Sequence, residues 1–385
     1  QEQIQTLKIS TSTLGEWQNR APAKLTISAD STVLQELCIS QHYMNICQIS
    51  SWDKTQGWKM QTKVSQFPLS LLSDYLPKPL ALASSINQLV VNIQSDRKNW
   101  SASGSLSTNN GQVTYTTANQ DIITFAHNPS VAKFNWNNSL LKADFNLTLV
   151  DGSAVGLIDM PLKFNTATPW LEQKLNMDLN INLEKIGELS SLIPFVSDTE
   201  GELSVSMHIG GPLTQPQITL KNLNLKNGTT RLSKQGITPK RINLSLIAKQ
   251  NNRLMINGNL NSGGGLLSMN GFIDQIGNSY GSQITIEGDE VQAISLKNQH
   301  LTLSPKLSLN VEGNDISVSG SMHIPSARFA PKDLSTAKVV SSDEIIVSEK
   351  TQRGNTNVFS YTSNLDVSLG DNVTFKIPGT IGIAI

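Results

Sequence analysis

Charged and aromatic residues are scarce in this chain of 385 residues. Asp, Glu, Lys and Arg make up 16% of it, well below the roughly 25% of an average soluble protein. The 30 basic and 30 acidic residues cancel, so there is no excess of positive charge to hold nucleic acid. No apolar run approaches the roughly 18–20 residues of a membrane-spanning helix. We therefore expect neither nucleic-acid binding nor a membrane helix within these residues.

Patterns that carry catalysis or bind metals are also missing. The five histidines are dispersed, and none lies in an HExxH or other metal-ligand spacing. No serine lies in a GxSxG motif, and Gly263-Gly264-Gly265 lacks the Lys-Ser/Thr of a phosphate-binding loop. The acidic pairs Asp289-Glu290 and Asp343-Glu344 are in or beside predicted loops. We expect no enzymatic activity, no metal site and no cofactor.

Apolar residues instead alternate with uncharged polar ones, most clearly in Thr199–Arg231. They occupy every second position of Leu203–Ile209, and the alternation resumes at Ile218 after the Gly210-Gly211-Pro212 break. Asn227-Gly228 then predicts a turn. A period of two places alternate side chains on opposite faces of a strand, so each strand is predicted to have one apolar and one polar face.

The same pattern recurs along the chain and predicts an all-β fold of roughly twenty strands. Helical spacing interrupts it at Phe67–Leu82 and at Leu183–Val196, each with prolines at its end. These two segments predict short amphipathic helices, and their separation of about 115–120 residues suggests an internal repeat. The repeat joints give four predicted segments of one continuous sheet: 1–82, 83–196, 197–329 and 330–385.

The two cysteines, Cys38 and Cys47, lie in the segment CISQHYMNIC. If the chain turns at His42-Tyr43, the two are directly opposed across a hairpin, at about the Cβ separation of a disulfide. A disulfide would indicate an oxidising compartment such as the periplasm. Two free buried thiols are the alternative, and His42 alone does not complete a four-ligand metal set.

Three stretches together resemble one family, the TamB and AsmA-like proteins of the bacterial envelope. The first is Thr199–Arg231, which is similar to the repeating unit of that family. The second is LQELCISQHYMNICQISSWDKTQGWKM with FPLSLLSDYLPKPL after it, which resembles the cysteine-bearing strand pair and the following Pro-ended helix. The third is NLDVSLGDNVTFKIPG, Asn364–Gly379, which resembles the start of the C-terminal conserved domain.

The resemblance implies an elongated antiparallel or mixed sheet curled into a U-shaped trough, apolar inside. It implies a periplasmic protein held to the inner membrane by an N-terminal segment, so we expect this chain to be a piece of a longer protein. It also implies a TamA-type outer-membrane barrel partner, barrel-protein assembly and phospholipid transport. Membrane contact would then involve parts outside these residues.

We expect the inward-facing residues of such a trough to contact phospholipid acyl chains. The alternative is an ordinary dry core between two sheets. The predicted groove residues are Leu203, Val205, Met207, Ile209, Ile218, Leu220, Ile242, Leu244, Leu246, Leu254, Ile256, Leu307, Leu309, Val311, Leu365, Val367 and Leu369.

Three functions compete at this stage. The first is a bridge that carries phospholipid along an apolar groove between the inner and outer membranes. The second is a scaffold that assists insertion of outer-membrane barrel proteins and autotransporters through strand pairing at an exposed edge. The third is a secreted β-rich adhesin or solenoid, which would need a strict short repeat that the sequence does not show.

Overall fold

The computed structural model is all-β, and strand accounts for 78% of the described structure. The residues it describes are 2–11, 15–75, 79–96, 99–117, 120–163, 169, 172–193, 195–250, 252–276, 279–330, 360–375 and 383–384. Within these ranges no helix has the length and apolar character needed to cross a membrane. The loop predicted after Phe329 falls, from residue 331 onward, outside the described residues.

Twenty-seven strands follow one another along the described chain. They are Glu2–Ile4 (β1), Lys8–Thr11 (β2), Gly15–Asn19 (β3), Ala23–Ile27 (β4), Ser31–Gln41 (β5), Met44–Asp53 (β6), Gly57–Pro68 (β7), Leu80–Ala83 (β8), Ser85–Ser95 (β9), Trp100–Thr108 (β10), Gly111–Thr116 (β11), Ile122–His127 (β12), Val131–Asn137 (β13), Leu140–Leu149 (β14), Gly152–Pro161 (β15), Lys174–Leu183 (β16), Val196–Pro212 (β17), Gln217–Leu232 (β18), Lys240–Lys249 (β19), Arg253–Ser262 (β20), Gly265–Ile276 (β21), Ser279–Asp289 (β22), Val291–Leu296 (β23), Gln299–Glu312 (β24), Asp315–Phe329 (β25), Ser360–Phe375 (β26) and Ile383–Ala384 (β27).

The prediction of two short amphipathic helices is wrong. Among the described residues of these two segments the helical turns are 3₁₀, at Leu69–Tyr75 and Gly187–Leu192, and no α-helix is present. A run of six or seven residues is too short to repay the cost of nucleating an α-helix, whereas 3₁₀ turns occur in pieces of this length. Strand β7 also continues through Pro68, inside the segment for which the first helix is predicted.

The chain forms two compact units. The first unit comprises Gln1–Ser191 and Ser204–Lys221, and the second comprises Leu192–Leu203 and Asn222–Ile385. In the first unit, antiparallel pairing runs in the order β5–β6–β7–β9–β10–β13–β14–β15–β16. Strands β3 and β4 both pair with β5. The β11–β12 hairpin leaves this order, pairs with β8 and touches β14 where His127 lies opposite Leu149.

In the second unit, antiparallel pairing runs from β18 through β19, β20, β21, β22 and β24 to β25. Strand β24 is long enough to pair with β22 along its second half and with β23 along its first half. Strand β26 then joins β25 in parallel. The expected antiparallel or mixed arrangement is therefore confirmed.

Glycines stand beside large side chains at several positions on the apolar side of the sheets. Gly104 pairs with Phe134 on one side and with Val91 on the other. A Cβ atom added to Gly104 would lie 2.5 Å from the carbonyl oxygen of Val90 and 2.5 Å from Cε1 of Phe134. The missing side chain thus leaves room for the phenyl ring to cover the neighbouring backbone.

Replacing Gly104 by valine tests this packing. We expect Gly104→Val to lower the free energy of unfolding by about 1–3 kcal/mol, the usual cost of overpacking, because the ring and the carbonyl must both give way. Urea unfolding followed by circular dichroism measures the change. The matched control is Ser103→Val, one residue earlier on the opposite face, where surface changes of about 0.5 kcal/mol or less are the rule. Equal effects of both substitutions would contradict the proposed packing role.

Candidate functional site

One face of the second unit is apolar on the paired strands β18–β22 and β24–β26. Directly opposed residues of paired strands point to the same side, so the register identifies the members of a face. Leu246 lies opposite Ile256, and Met269 lies opposite Ile286. Ile286 in turn lies opposite Leu307, which continues the row into β24.

Eleven of the predicted groove residues lie on this face. Each of them is opposed to at least one apolar or glycine neighbour in the register, and β26 contributes the last row, where Gly320 lies opposite Leu365 and Met322 opposite Val367. The eleven residues are Ile242, Leu244, Leu246, Leu254, Ile256, Leu307, Leu309, Val311, Leu365, Val367 and Leu369.

Polar contacts fix the orientation of the predicted residues in β17. Ser206 Oγ donates to Asn180 Oδ1 at 2.7 Å, and His208 Nδ1 lies 3.0 Å from Asp178 Oδ1. Alternation then places their neighbours Val205, Met207 and Ile209 on the other face of the strand. Leu203 continues the same alternation and is partly buried.

In β18, Lys221 marks the polar side by donating from Nζ to Asp178 Oδ1 at 2.6 Å. Leu220, the preceding residue, is partly buried. Ile218, two residues earlier, is 67% exposed, so it contributes little to a sheltered surface in this structure.

The first unit carries a comparable apolar face that the sequence-based groove list missed. Phe145 lies opposite Ala132 and Gly156, and Leu179 lies beside Gly156 on the next strand. The same alternation that identified β17 was present in these strands and could have identified them. Further members of this face are Val64, Leu89, Val91, Ile93, Phe134, Leu147, Ile158, Met177 and Ile181.

These faces are only partly covered. Among the described residues, no large side chain is less than 2% exposed. Leu244, Leu307 and Leu309 are all partly exposed. On β26 the exposed fraction rises to 59% for Val367 and 50% for Leu369. Burying such side chains fully is worth about 1.5–3 kcal/mol each, and much of that gain is not realised here.

On the opposite face of the sheets, neutral amide side chains form hydrogen bonds between neighbouring strands. Asn257 Nδ2 donates to Asn270 Oδ1 at 2.7 Å, and Asn243 Nδ2 donates to Asn259 Oδ1 at 3.0 Å. These cross-strand pairs satisfy polar side chains without fixed charges. They explain how the polar face is built in a chain with few charged residues.

Cys38 and Cys47 form the expected disulfide, which rules out the alternative of two free thiols. The two residues are directly opposed between β5 and β6, with a Cα–Cα distance of 4.0 Å. The Glu36 carboxylate lies close to the two sulfurs. A disulfide offers no thiolate ligand, so this grouping is not a metal site in the oxidised protein.

One ion cluster on the polar face of the first unit ties three strands together. Asp178 Oδ1 accepts from Lys221 Nζ and also contacts His208 Nδ1. The hydrogen bond from Lys221, and after it the one from His208, lowers the pKa of Asp178 below its ordinary value. The carboxylate therefore stays ionised at neutral pH.

Two family profiles match the chain over most of its length. The profile described as TamB, N-terminal domain, matches residues 1–219, and the profile described as TamB C-terminal domain matches residues 248–383. The chain belongs to the TamB family. No curated protein and no solved structure matches it.

Membership in the TamB family carries coarse functional information. Proteins of the TamB family are periplasmic and membrane-associated, and they are not enzymes. The family is linked to the translocation and assembly module or to lipid transport, and to association with TamA and lipids in general.

The Asp178 cluster predicts a pH dependence. Because the folded-state pKa of Asp178 is lowered, its contribution to stability is present above the unfolded pKa of about 4 and is lost as the pH falls through the folded value. We expect the thermal midpoint of the parent to fall more between about pH 5 and about pH 3 than that of Asp178→Asn. Asp144→Asn, on the same face, is the control and should titrate like the parent. A parallel fall in all three proteins would show that the cluster does not stabilise the fold.

Proposed function

We propose that this chain carries phospholipid between the inner and outer membranes, with the acyl chains lying on the apolar faces described above. The observation that supports this proposal is an apolar face that stays partly exposed across whole units. Exposed apolar area of this extent on a soluble surface marks an interaction site. The absence of charged groups from the described apolar rows makes that site suitable for hydrocarbon.

The energetics favour weak, position-independent binding. Each methylene removed from water contributes about 0.8 kcal/mol. Several methylenes resting on Leu, Ile and Val side chains would therefore hold an acyl chain by several kcal/mol without any specific contact. Neighbouring rows offer near-equivalent surfaces, so a lipid could move along them without crossing a high barrier.

A dry core between two packed sheets is the competing interpretation. Such a core would bury its large side chains completely, at the packing density of protein interiors. The described residues include no large side chain buried to that degree. The partial exposure of Leu244, Leu307 and Leu309 supports an open face.

The rest of the proposal follows from family membership. The faces would line a U-shaped trough in the periplasm, an N-terminal segment would anchor the protein in the inner membrane, and a TamA-type barrel would receive it at the outer membrane. In this arrangement the trough supports the integrity of the outer membrane by supplying phospholipid.

Native mass spectrometry with lipid extraction tests the proposal on the chain purified from periplasm. We expect phospholipid to co-purify with the parent and to be strongly reduced in Val205→Asp and Leu244→Asp, because a carboxylate on the apolar face repels hydrocarbon. The matched controls, Ser204→Asp and Ser245→Asp, place the same charge one residue away on the polar face and should retain lipid.

Circular dichroism decides between the two interpretations. In an open face the two apolar-face variants keep their strand signal, because the new carboxylate can still reach water. In a dry core they unfold, because an unpaired buried charge costs several kcal/mol. A lipid-free, well-folded parent that these substitutions unfold would refute the transport proposal.

One observation favours the scaffold as a second candidate function. Over Ser360–Val373, strand β26 pairs with β25 alone among the described residues. Its side chains from Ser360 to Leu369 are exposed, and Tyr361 is 74% exposed. A strand edge of this kind can add a strand from another chain, which is the β-augmentation mode of recognition.

Photo-cross-linking tests this second function. A photoreactive residue at Thr362 on β26 should cross-link to a purified TamA-type barrel protein or to a barrel substrate. The control is the same residue at Thr285, which lies within β22 between two paired strands. Equal yields from the two positions would show that the β26 edge is not the contact.

A further inference from the structure

We propose that a polar cavity at the end of the apolar face of the first unit binds the headgroup of a zwitterionic, amine-bearing phospholipid. The inference rests on the proposed lipid function and adds a headgroup site to it. The cavity has a volume of about 310 Å³. It lies where β14 turns into β15 and where β16 ends, facing the β11–β12 hairpin.

The floor of the cavity continues the apolar face. Leu149 and Leu183 both line it, and Gly152 lies between them in the register. Both leucines are buried, at 7% and 6% exposure. They form the last row of the face whose next members are Leu147 and Ile181. An acyl chain lying along these rows would therefore end at the cavity.

Charged groups of both signs line the same cavity. Lys185 Nζ donates to Asp151 Oδ1 at 2.8 Å, and Glu188 is a further lining residue. The hydrogen bond from Lys185 to Asp151 raises the pKa of the lysine, which keeps it cationic. One cation and two carboxylates thus lie at the end of the apolar face, beside the two buried leucines.

This charge pattern matches a zwitterionic headgroup better than an anionic one. A phosphate can accept from Lys185, and an ammonium can donate to the carboxylates of Asp151 and Glu188. An anionic headgroup without an amine would bring its charge against a cavity whose ionised lining residues sum to one negative charge.

The size of the cavity also suits a headgroup. Sites for whole small ligands run from about 300 to 1,000 Å³, so this cavity is at the lower end and is too small for a complete phospholipid. Only the polar end of the lipid would enter, while its tails would remain on the face. The cavity would then be a binding site at which one lipid class stays bound longer than others.

A lipid competition experiment tests the site. The purified chain is incubated with vesicles of equal parts phosphatidylethanolamine and phosphatidylglycerol with identical acyl chains, and bound lipid is identified by native mass spectrometry. We expect phosphatidylethanolamine to be enriched about two- to fivefold over phosphatidylglycerol, as partly exposed ion pairs allow. Lys185→Gln, which leaves the lining with two negative charges, should increase the enrichment, and Glu188→Lys, which makes the lining net positive, should reverse it towards phosphatidylglycerol.

The matched control is Lys142→Gln, which removes another exposed lysine of the first unit, one that lies 3.9 Å from Asp159. It should leave the lipid ratio unchanged. If the parent binds both lipids equally, or if Glu188→Lys leaves the ratio as it was, the headgroup site is refuted while the lipid face stands. If the parent binds neither lipid, the proposed function itself fails. Lys185 and Glu188 are exposed, so their substitution should leave the strand signal unchanged, and circular dichroism checks this.

Discussion

The need to pair every backbone hydrogen-bonding group governs this structure. A chain that is almost entirely strand satisfies that need through ladders between neighbours, and each ladder sorts side chains to two faces. Alternation in the sequence makes one of these faces apolar across many strands. With only two short 3₁₀ segments among the described residues, little helix is present to cover that face. An exposed apolar surface therefore follows from the strand pattern itself.

The polar face of the sheets is stabilised by hydrogen bonds between side chains. Its hydrogen bonds run largely between neutral side chains, such as Asn257 with Asn270 and Gln61 with Asn92. Amides can both donate and accept, so they link adjacent strands without bringing like charges together. Within the described ranges, ion pairs occur at a few positions, of which the Asp178 cluster is the most connected. A low content of charged residues is thus compatible with a well-satisfied outer surface.

The sequence predicted the all-β class, the disulfide and the face to which individual residues of a strand belong, because each depends on local spacing. Apart from the Cys38–Cys47 hairpin, it did not predict pairing partners, since register depends on contacts distant in the chain. No local sequence pattern indicates that the β11–β12 hairpin leaves the order of the sheet, so that β10 pairs with β13. The prediction of two helices was wrong because burying an apolar face of only one or two helical turns contributes less free energy than helix nucleation costs. The charged cavity at Lys185 was missed because its residues come from separate hairpins.

Glycine spacing gives the apolar face of the second unit an uneven surface that bears on the proposed movement of lipid. Gly258 lies between Leu244 and Met269, and Gly271 lies between Ile256 and Ile284. Large side chains therefore flank shallow gaps along the hydrogen-bonding direction, and the Leu244 and Met269 side chains reach over the gap at Gly258. Such a surface would offer contact to a flexible hydrocarbon chain at many places along these rows. The binding energy of the proposed lipid would then be spread over the rows, which is the condition under which a held molecule can still move.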